Sequence, residues 1–265
     1  MNVKKLFDLT GRTVILTGAV GLLGSKYAEA LSQARANVVL ADKNYSACKK
    51  LAKKIREKYD VKPLPIKVNV TNKKSVLKMV SKTIEEYSKV DVLINNAMYV
   101  EGPKERSILF EDFPLSYWYK IIDVNLTGMF LCCQEVGKVM REQRRGVVIN
   151  ISSIYGLVGA DQRIYGKSKL NSTLVYGVTK SAVLNFTRYL ASYWHKFGIR
   201  VNTLSLGGVE NNQDSHFIKN YSAKTMLGRM AKKDEYVGAM LFLVSDASSY
   251  MTGSNLIVDG GWTAW

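Results

Sequence analysis

Two tyrosine–lysine pairs in this 265-residue chain have a spacing that could move a proton. Tyr176 and Lys180 are four positions apart, and so are Tyr165 and Lys169. On a helix, residues at that spacing share a face. A phenol titrates near ~10, and an ammonium held beside it favours the phenolate and brings that value down. A phenol tuned in this way can give or take a proton near neutral pH. Ser153 follows the apolar stretch G-V-V-I-N-I-S, and its hydroxyl can hydrogen-bond the same substrate oxygen. The residues downstream separate the two pairs. After Lys180, the apolar positions Val183, Phe186, Leu190 and Tyr193 recur with a helical period. After Lys169 comes L-N-S-T-L-V, which is β-branched and turn-like. Only a helix fixes such a pair rigidly, so the expectation falls on Tyr176 and Lys180.

The elements that must position these groups alternate along the chain. Apolar runs at Arg12–Thr17, Asn37–Ala41, Leu64–Val70, Val90–Ile94, Gly146–Ile151, Arg200–Leu204 and Asn255–Val258 read as strands. Ser25–Arg35, Tyr45–Tyr59, Lys74–Ser88, an interrupted Leu115–Gln143 and Tyr176–Lys196 read as helices. Strands without in/out alternation, each followed by a helix, imply βαβ units with both sheet faces covered. The expected fold is α/β, one doubly wound parallel sheet forming a single domain over residues 1–265.

The first strand runs straight into T-G-A-V-G-L-L-G, Thr17 to Gly24, and then a helix. Glycines there permit a tight turn and close backbone approach to a pyrophosphate. The free N–H groups at the helix start attract its charge. Gly18, Gly21, Leu23 and Gly24 are therefore candidate dinucleotide contacts. Asp42 ends the second strand, where a carboxylate accepts from both ribose hydroxyls and repels a 2′-phosphate. That favours NAD; Lys43 beside it keeps NADP as the alternative.

Together with these residues, N-N-A at Asn95–Ala97, D-V-N-L-T-G at Asp123–Gly128, N-I-S-S at Asn150–Ser153, Y-G-V-T-K at Tyr176–Lys180, R-V-N at Arg200–Asn202 and M-T-G-S-N-L-I-V-D-G-G at Met251–Gly261 closely resemble the short-chain dehydrogenase/reductase family. The resemblance implies a Rossmann-type fold, a nicotinamide cofactor and a catalytic tetrad of Asn125, Ser153, Tyr176 and Lys180. In the family the tyrosine carries the proton, the serine orients the carbonyl or alcohol, and the lysine holds the ribose and tunes the tyrosine. The asparagine supports a water-mediated relay to the lysine. It also points to Asn69, Asn96 and Gly207, with Tyr176 and Lys180, on the cofactor. Four positions depart from the family pattern: Leu22 for the middle glycine, Met98 after N-N-A, Asn69 for an acidic residue, and Leu206-Gly207 for Pro-Gly. The G-L-L-G turn, the stretched segment Ile154–Val175 and L-I-V-D-G-G-W resemble the sugar-pathway and flagellin-modification oxidoreductases within the family.

Composition bounds the remaining choices. With 47% apolar residues the chain can bury a sizeable core. No apolar run is long enough for a membrane span. Lys4, Lys5 and the run Thr13–Leu23 mimic a short secretory signal, but Asp8, Arg12 and the glycines interrupt it. Three cysteines, Cys48, Cys132 and Cys133, suit a reducing cytoplasm better than a disulfide framework. No Cys/His spacing implies a metal.

The net charge of +16 attracts polyanions in general. On Tyr45–Tyr59, however, Leu51, Ile55 and Tyr59 form a buried stripe that leaves the lysines on a solvated face. No zinc finger or RNP-like aromatic sequence accompanies them, so neither nucleic acid nor membrane is expected as a partner. The expected partners are a small substrate and further copies in a homodimer or homotetramer, as family members commonly form.

Specificity should come from Met98–Ser116, Ile154–Val175 and Gly208–Arg229, beyond the strand C-termini. Lys104, Arg106, Arg163, Lys167, Glu210, Asn211, Asn212 and Gln213 there favour a polyhydroxylated, anionic substrate such as a sugar phosphate or nucleotide sugar in glycan biosynthesis. The alternative is a non-catalytic NAD-sensing or scaffold protein with a basic partner-binding surface.

Overall fold

The computed structural model describes residues 2–265. In chain order the elements are α1 (Val3–Leu6), β1 (Thr13–Thr17), α2 (Gly24–Gln33), β2 (Asn37–Asp42), α3 (Tyr45–Tyr59), β3 (Leu64–Lys67), α4 (Lys73–Tyr87), β4 (Val92–Asn95), α5 (Pro103–Arg106), α6 (Leu115–Ile122), α7 (Gly128–Gln143), β5 (Gly146–Ser153), α8 (Leu174–Trp194), β6 (Ile199–Leu206), α9 (Ser215–Ser222), α10 (Val237–Val244) and β7 (Asn255–Val258). The seven strands form one parallel sheet in the order β3-β2-β1-β4-β5-β6-β7. The order reverses between β1 and β4, and a crevice opens there beyond the strand C-termini.

Every residue of β1, β4 and β5 is buried, because helices cover both faces. Alternation survives as a choice of face. Val14 and Leu16 pack with Tyr27, Leu31, Ala52, Met240 and Leu243, on the side of α2, α3 and α10. Ile15, between them, packs with Met79, Val136, Met140, Val183 and Trp194, on the side of α4, α7 and α8.

Local chemistry sets the helix ends. Asn44 caps α3 by accepting from Ala47 N–H, and Asn72 caps α4 by accepting from Ser75 N–H. Asp60, Ser88 and Arg144 stop α3, α4 and α7 in the left-handed conformation. On α3, Cys48, Ala52 and Ile55 are buried, and the lysines face water as the apolar stripe requires. All fourteen Lys and Arg between positions 43 and 89 are exposed, which puts much of the net charge on the β3 edge of the molecule.

The structure differs from the sequence reading at some element ends, β3 stopping at Lys67 rather than Val70, and in three larger features. Leu115–Gln143 is two helices joined by a π-helical turn at Asp123–Thr127, and that turn carries the buried Asn125. Such turns insert one residue and re-aim the side chains around them. The helix expected to open at Tyr176 starts two residues earlier, at Leu174, and ends at Trp194. The short helices α1 and α5 and the helices α9 and α10 carried no signal. The segment V-G-A-M-L-F-L-V of α10 is apolar all round, so it has no stripe to detect.

Helices α7 and α8 pack through Gly137, where an added Cβ would stand 2.4 Å from the Trp194 ring. Gly137→Val should destabilise the fold by about 1–3 kcal/mol through overpacking. Urea unfolding followed by tryptophan fluorescence measures it.

Candidate active site

The crevice is a cleft of about 770 Å³. At its floor the chain leaves β1 through Gly18, whose φ is +64°. A Cβ there would lie 2.8 Å from Ala97 Cα, so the turn is closed to any side chain. Thr17 Oγ1 accepts from the Asn96 and Ala97 N–H groups, at 3.1 and 3.2 Å. The Asn96 amide donates to the Thr17 and Gly18 carbonyls, both at 3.1 Å. Asn96 thus fixes the shape of the turn. Gly24 has a different task from the one expected. It is not on the cleft wall; a Cβ there would meet Gly18 O at 2.1 Å, so it lets α2 pack against the turn. Gly21, Leu22 and Leu23 do line the cleft. Leu22 is 39% exposed, so its side chain fits at the rim where the family pattern has glycine.

Helix α2 starts with no side-chain cap at Leu23, leaving its N-terminal dipole open to the cleft. Asp42 stands on the wall, its Oδ1 accepting from Asn44 N–H at 3.0 Å and its Oδ2 from Val20 N–H at 3.4 Å. Asn69 commits its Oδ1 to the Thr71 N–H and hydroxyl, at 3.2 and 3.0 Å, and therefore offers the cleft its amide donor. Across the cleft, Gly207 lets the chain pass Asp259, whose Cα would be 2.8 Å from an added Cβ. A turn without a side chain at Gly18 and Gly21, an uncapped helix start and a carboxylate on one wall suit a pyrophosphate and an adenosine ribose, so these residues fit a dinucleotide.

Ser153, Tyr176 and Lys180 meet on the same wall, from the end of β5 and the first turns of α8. Lys180 is 5% exposed, and its Nζ donates to Ile151 O at 3.0 Å, 5.8 Å from the Tyr176 ring centroid. Burial brings the ammonium down to about 8. Burial pushes Tyr176 up, and the Ser153 hydroxyl opposes this. The sequence reading expects Lys180 to lower the phenol. In the protein alone desolvation wins, because the ammonium is turned to the Ile151 carbonyl.

Asn125 does not reach the cleft wall; it is 4% exposed. Its Oδ1 accepts from Tyr99 N–H at 2.8 Å, and its amide donates to Thr179 Oγ1 at 3.2 Å. Thr179 in turn donates to the Tyr176 carbonyl at 2.9 Å.

The three specificity loops do converge on the cleft, but with different residues from those the sequence singled out. Met98, Tyr99, Val100, Tyr155, Tyr165 and Phe217 are on its wall. Of the expected polar groups only Asn211 and Gln213 are, and Arg163 is instead paired with Asp161 at 2.8 Å. Besides Lys180, Lys43 at the rim is the one cation on the wall among the described residues. The second pair also separates: Tyr165 lies in a one-turn 3-10 helix facing the cleft, whereas Lys169 is exposed beyond it. Tyr155 and Phe217 gave no sequence signal beyond their places two residues after Ser153 and inside an expected specificity loop.

Residues 18–263 match the family described as enoyl-(acyl carrier protein) reductase. The whole chain superposes on a short-chain type dehydrogenase/reductase from Mycobacterium marinum with a TM-score of 0.89 and 32% identity, covering 100% of both. The chain belongs to the short-chain dehydrogenase/reductase family. It is an oxidoreductase of the kind that uses a nicotinamide cofactor. Among its relatives, a sorbose reductase of Candida albicans is 32% identical over 99% of this chain and 90% of that protein. A post-translational flagellin modification protein A of Campylobacter coli is 28% identical over 96% of this chain and 99% of that one. The likeness to sugar-pathway and flagellin-modification members read from the sequence is therefore present.

Lys180 folds with a lowered value, near 8 against an ordinary 10.5. Between those two values the unfolded chain binds the extra proton, so stability rises with pH across that window and is lower beneath it. Lys180→Met should stabilise the enzyme at pH 7, with the gain shrinking as pH climbs from about 8 towards 10.5. Thermal melting across that range checks the sign.

Proposed function

We propose that the enzyme interconverts a secondary alcohol and a ketone on a neutral polyol or sugar, with NAD as cofactor, and that Tyr176 is its acid/base. The observation that carries this is the wall where Ser153, Tyr176 and Lys180 meet beside the glycine turn. Bound nicotinamide supplies or accepts the hydride. The chain's own residues do the rest. Ser153 hydrogen-bonds the substrate oxygen, and Tyr176 gives or takes its proton at the phenolic oxygen. Lys180, anchored by Ile151 O, holds the ribose and keeps a positive charge behind the phenol. Asn125, through Thr179, fixes the backbone of the turn that carries Tyr176. Gly18, Gly21 and Leu23 receive the pyrophosphate, with Asn96 and Gly24 shaping that turn. Asn69 and Gly207 border the adenine and nicotinamide ends.

Asp42 supports NAD over NADP, since its carboxylate sits where a 2′-phosphate would bring further negative charge. The substrate reading has two supports. One is the likeness to a sorbose reductase. The other is a cleft whose wall near Tyr176 is mostly aromatic and apolar, with Lys180 as its cation and the Arg106 guanidinium held off the wall over the Tyr165 ring. Along α8, the exposed Leu174, Val178, Tyr189 and Tyr193 form an apolar stripe suited to a homodimer or homotetramer. The buried free cysteines support a cytoplasmic setting, and among the described residues no helix is long and apolar enough to cross a membrane.

Tyr176→Phe should lower kcat by roughly 100-fold or more, the scale of a lost general acid/base, while NADH still binds by fluorescence titration. Full activity in that variant would refute the assignment. Asp42→Asn should narrow the preference for NAD over NADP by about 10-fold, equivalent to ~1.4 kcal/mol. The ratio of kcat/KM values for the two cofactors reads it directly.

A further inference from the structure

Tyr165 belongs to the Tyr-x-x-x-Lys spacing that the reaction leaves without a role. It comes from the stretched segment between Ser153 and Tyr176, and the fold holds it firmly. The Phe217 ring lies 5.3 Å from its centroid, and the Arg106 guanidinium is also 5.3 Å from it. Tyr165 is 9% exposed, on the cleft wall. Tyr155 stands on the same wall, its ring edge-on to Tyr176 with centroids 6.3 Å apart and planes at 86°. Neither the Tyr155 nor the Tyr165 hydroxyl has a hydrogen-bond partner among the described residues; their backbones are engaged instead, Tyr155 N–H donating to Ser153 Oγ and Tyr165 O accepting from Ser168 N–H. The neighbouring polar groups are occupied. The Tyr221 hydroxyl accepts from Gly208 N–H. The Gln213 amide is bound to Asn211 N–H and Val209 O.

Two phenols on the cleft wall, each able to donate and accept, have no partner within the protein and are free to meet a ligand. An alcohol hydroxyl, itself donor and acceptor, completes them; a methylene in its place does not. Tyr155 packs edge-on to the group that transfers the proton and Tyr165 lines the same cleft, so the hydroxyl they meet is one close to the reacting carbon. We infer that Tyr155 and Tyr165 form a subsite that reads a hydroxyl on the carbon next to the reacting one, so that the enzyme prefers α-hydroxyketones and vicinal diols. This rests on the polyol reading above and assigns the residues that read the neighbouring hydroxyl.

The test compares 1-hydroxy-2-butanone with 2-butanone and with 1-methoxy-2-butanone, in which the same oxygen can no longer donate. The wild-type enzyme should favour the hydroxyketone in kcat/KM over both. Tyr155→Phe and Tyr165→Phe keep the rings and remove the hydroxyls. Each should cut the hydroxyketone preference roughly 3- to 10-fold, the worth of one hydrogen bond, and the double variant should abolish most of it. Melting temperature and NADH titration identify a variant that has failed to fold. The methoxy comparison, made on the wild-type protein, stands without any variant. Hydroxyketone preference that survives both substitutions overturns the subsite and leaves the polyol reading intact. Equal use of all three ketones by an enzyme that reduces ketoses also overturns the subsite alone. Turnover of simple ketones without turnover of hydroxyketones or polyols, or no turnover of any of them, overturns both.

Discussion

Lys180 is a buried ammonium whose hydrogen-bond acceptor is one backbone carbonyl, that of Ile151 at 3.0 Å. Burying such a charge is unfavourable unless it is held by partners. Much of the surrounding structure serves to hold it. Ile151 lies in the buried strand β5, one residue past its pairing with β4, and is held in register by Leu204 of β6. Helix α8 carries the lysine, and its own Lys180 carbonyl accepts from Ser152 Oγ at 2.7 Å, tying helix to strand a second time. Gly156 allows this approach, since a Cβ there would stand 2.5 Å from Lys180 O. A strand end and a helix start are thus locked together, and the phenol of Tyr176 and the hydroxyl of Ser153 are carried along with them.

The same logic of satisfied polar groups runs through the centre of the sheet. The Asn95 amide donates to Asn150 Oδ1 at 2.8 Å, the Asn150 amide to Thr187 Oγ1 at 2.9 Å, and Thr203 Oγ1 to Thr187 Oγ1 at 2.8 Å. This buried chain links β4, β5, β6 and α8. Partly apolar alternatives would pack as well, but hydrogen bonds between fixed partners select one register. Asn95 Oδ1 is left without a partner, so even this network is incomplete. The glycine turn repeats the pattern, with Thr17 and Asn96 supplying what the irregular backbone lacks.

Most of the fold was legible because its signals are local. An apolar run such as T-V-I-L-T, a glycine turn directly after it and a helical stripe after Lys180 each depend on a few neighbouring residues. The interruption near Asn125 was legible only as an interruption. Its π-helical form goes with contacts to distant segments, since Asn125 bonds Tyr99 and Thr179. The substrate wall was the least legible part. Lys104, Arg163 and Lys167 looked like contacts because charge is conspicuous in a sequence, yet charge is also what most easily stays in water. The wall was built instead from aromatic residues, which a sequence reading assigns to the core by default.

By itself the sequence determined the strand order and the main helices between strands, the parallel doubly wound sheet, the glycine turn with Asp42 behind it, and the choice of Tyr176 over Tyr165 as the helical partner of a lysine. These follow from periodicity, backbone freedom and spacing along one element. Tertiary structure decided the direction in which Lys180 points, the withdrawal of Asn125 and Gly24 behind the wall, and the delivery of Tyr155, Tyr165 and Phe217 to the cleft. Those are matters of which distant segments meet. The path of a loop is set by the sum of many weak contacts across the chain, and no short stretch of residues encodes that sum.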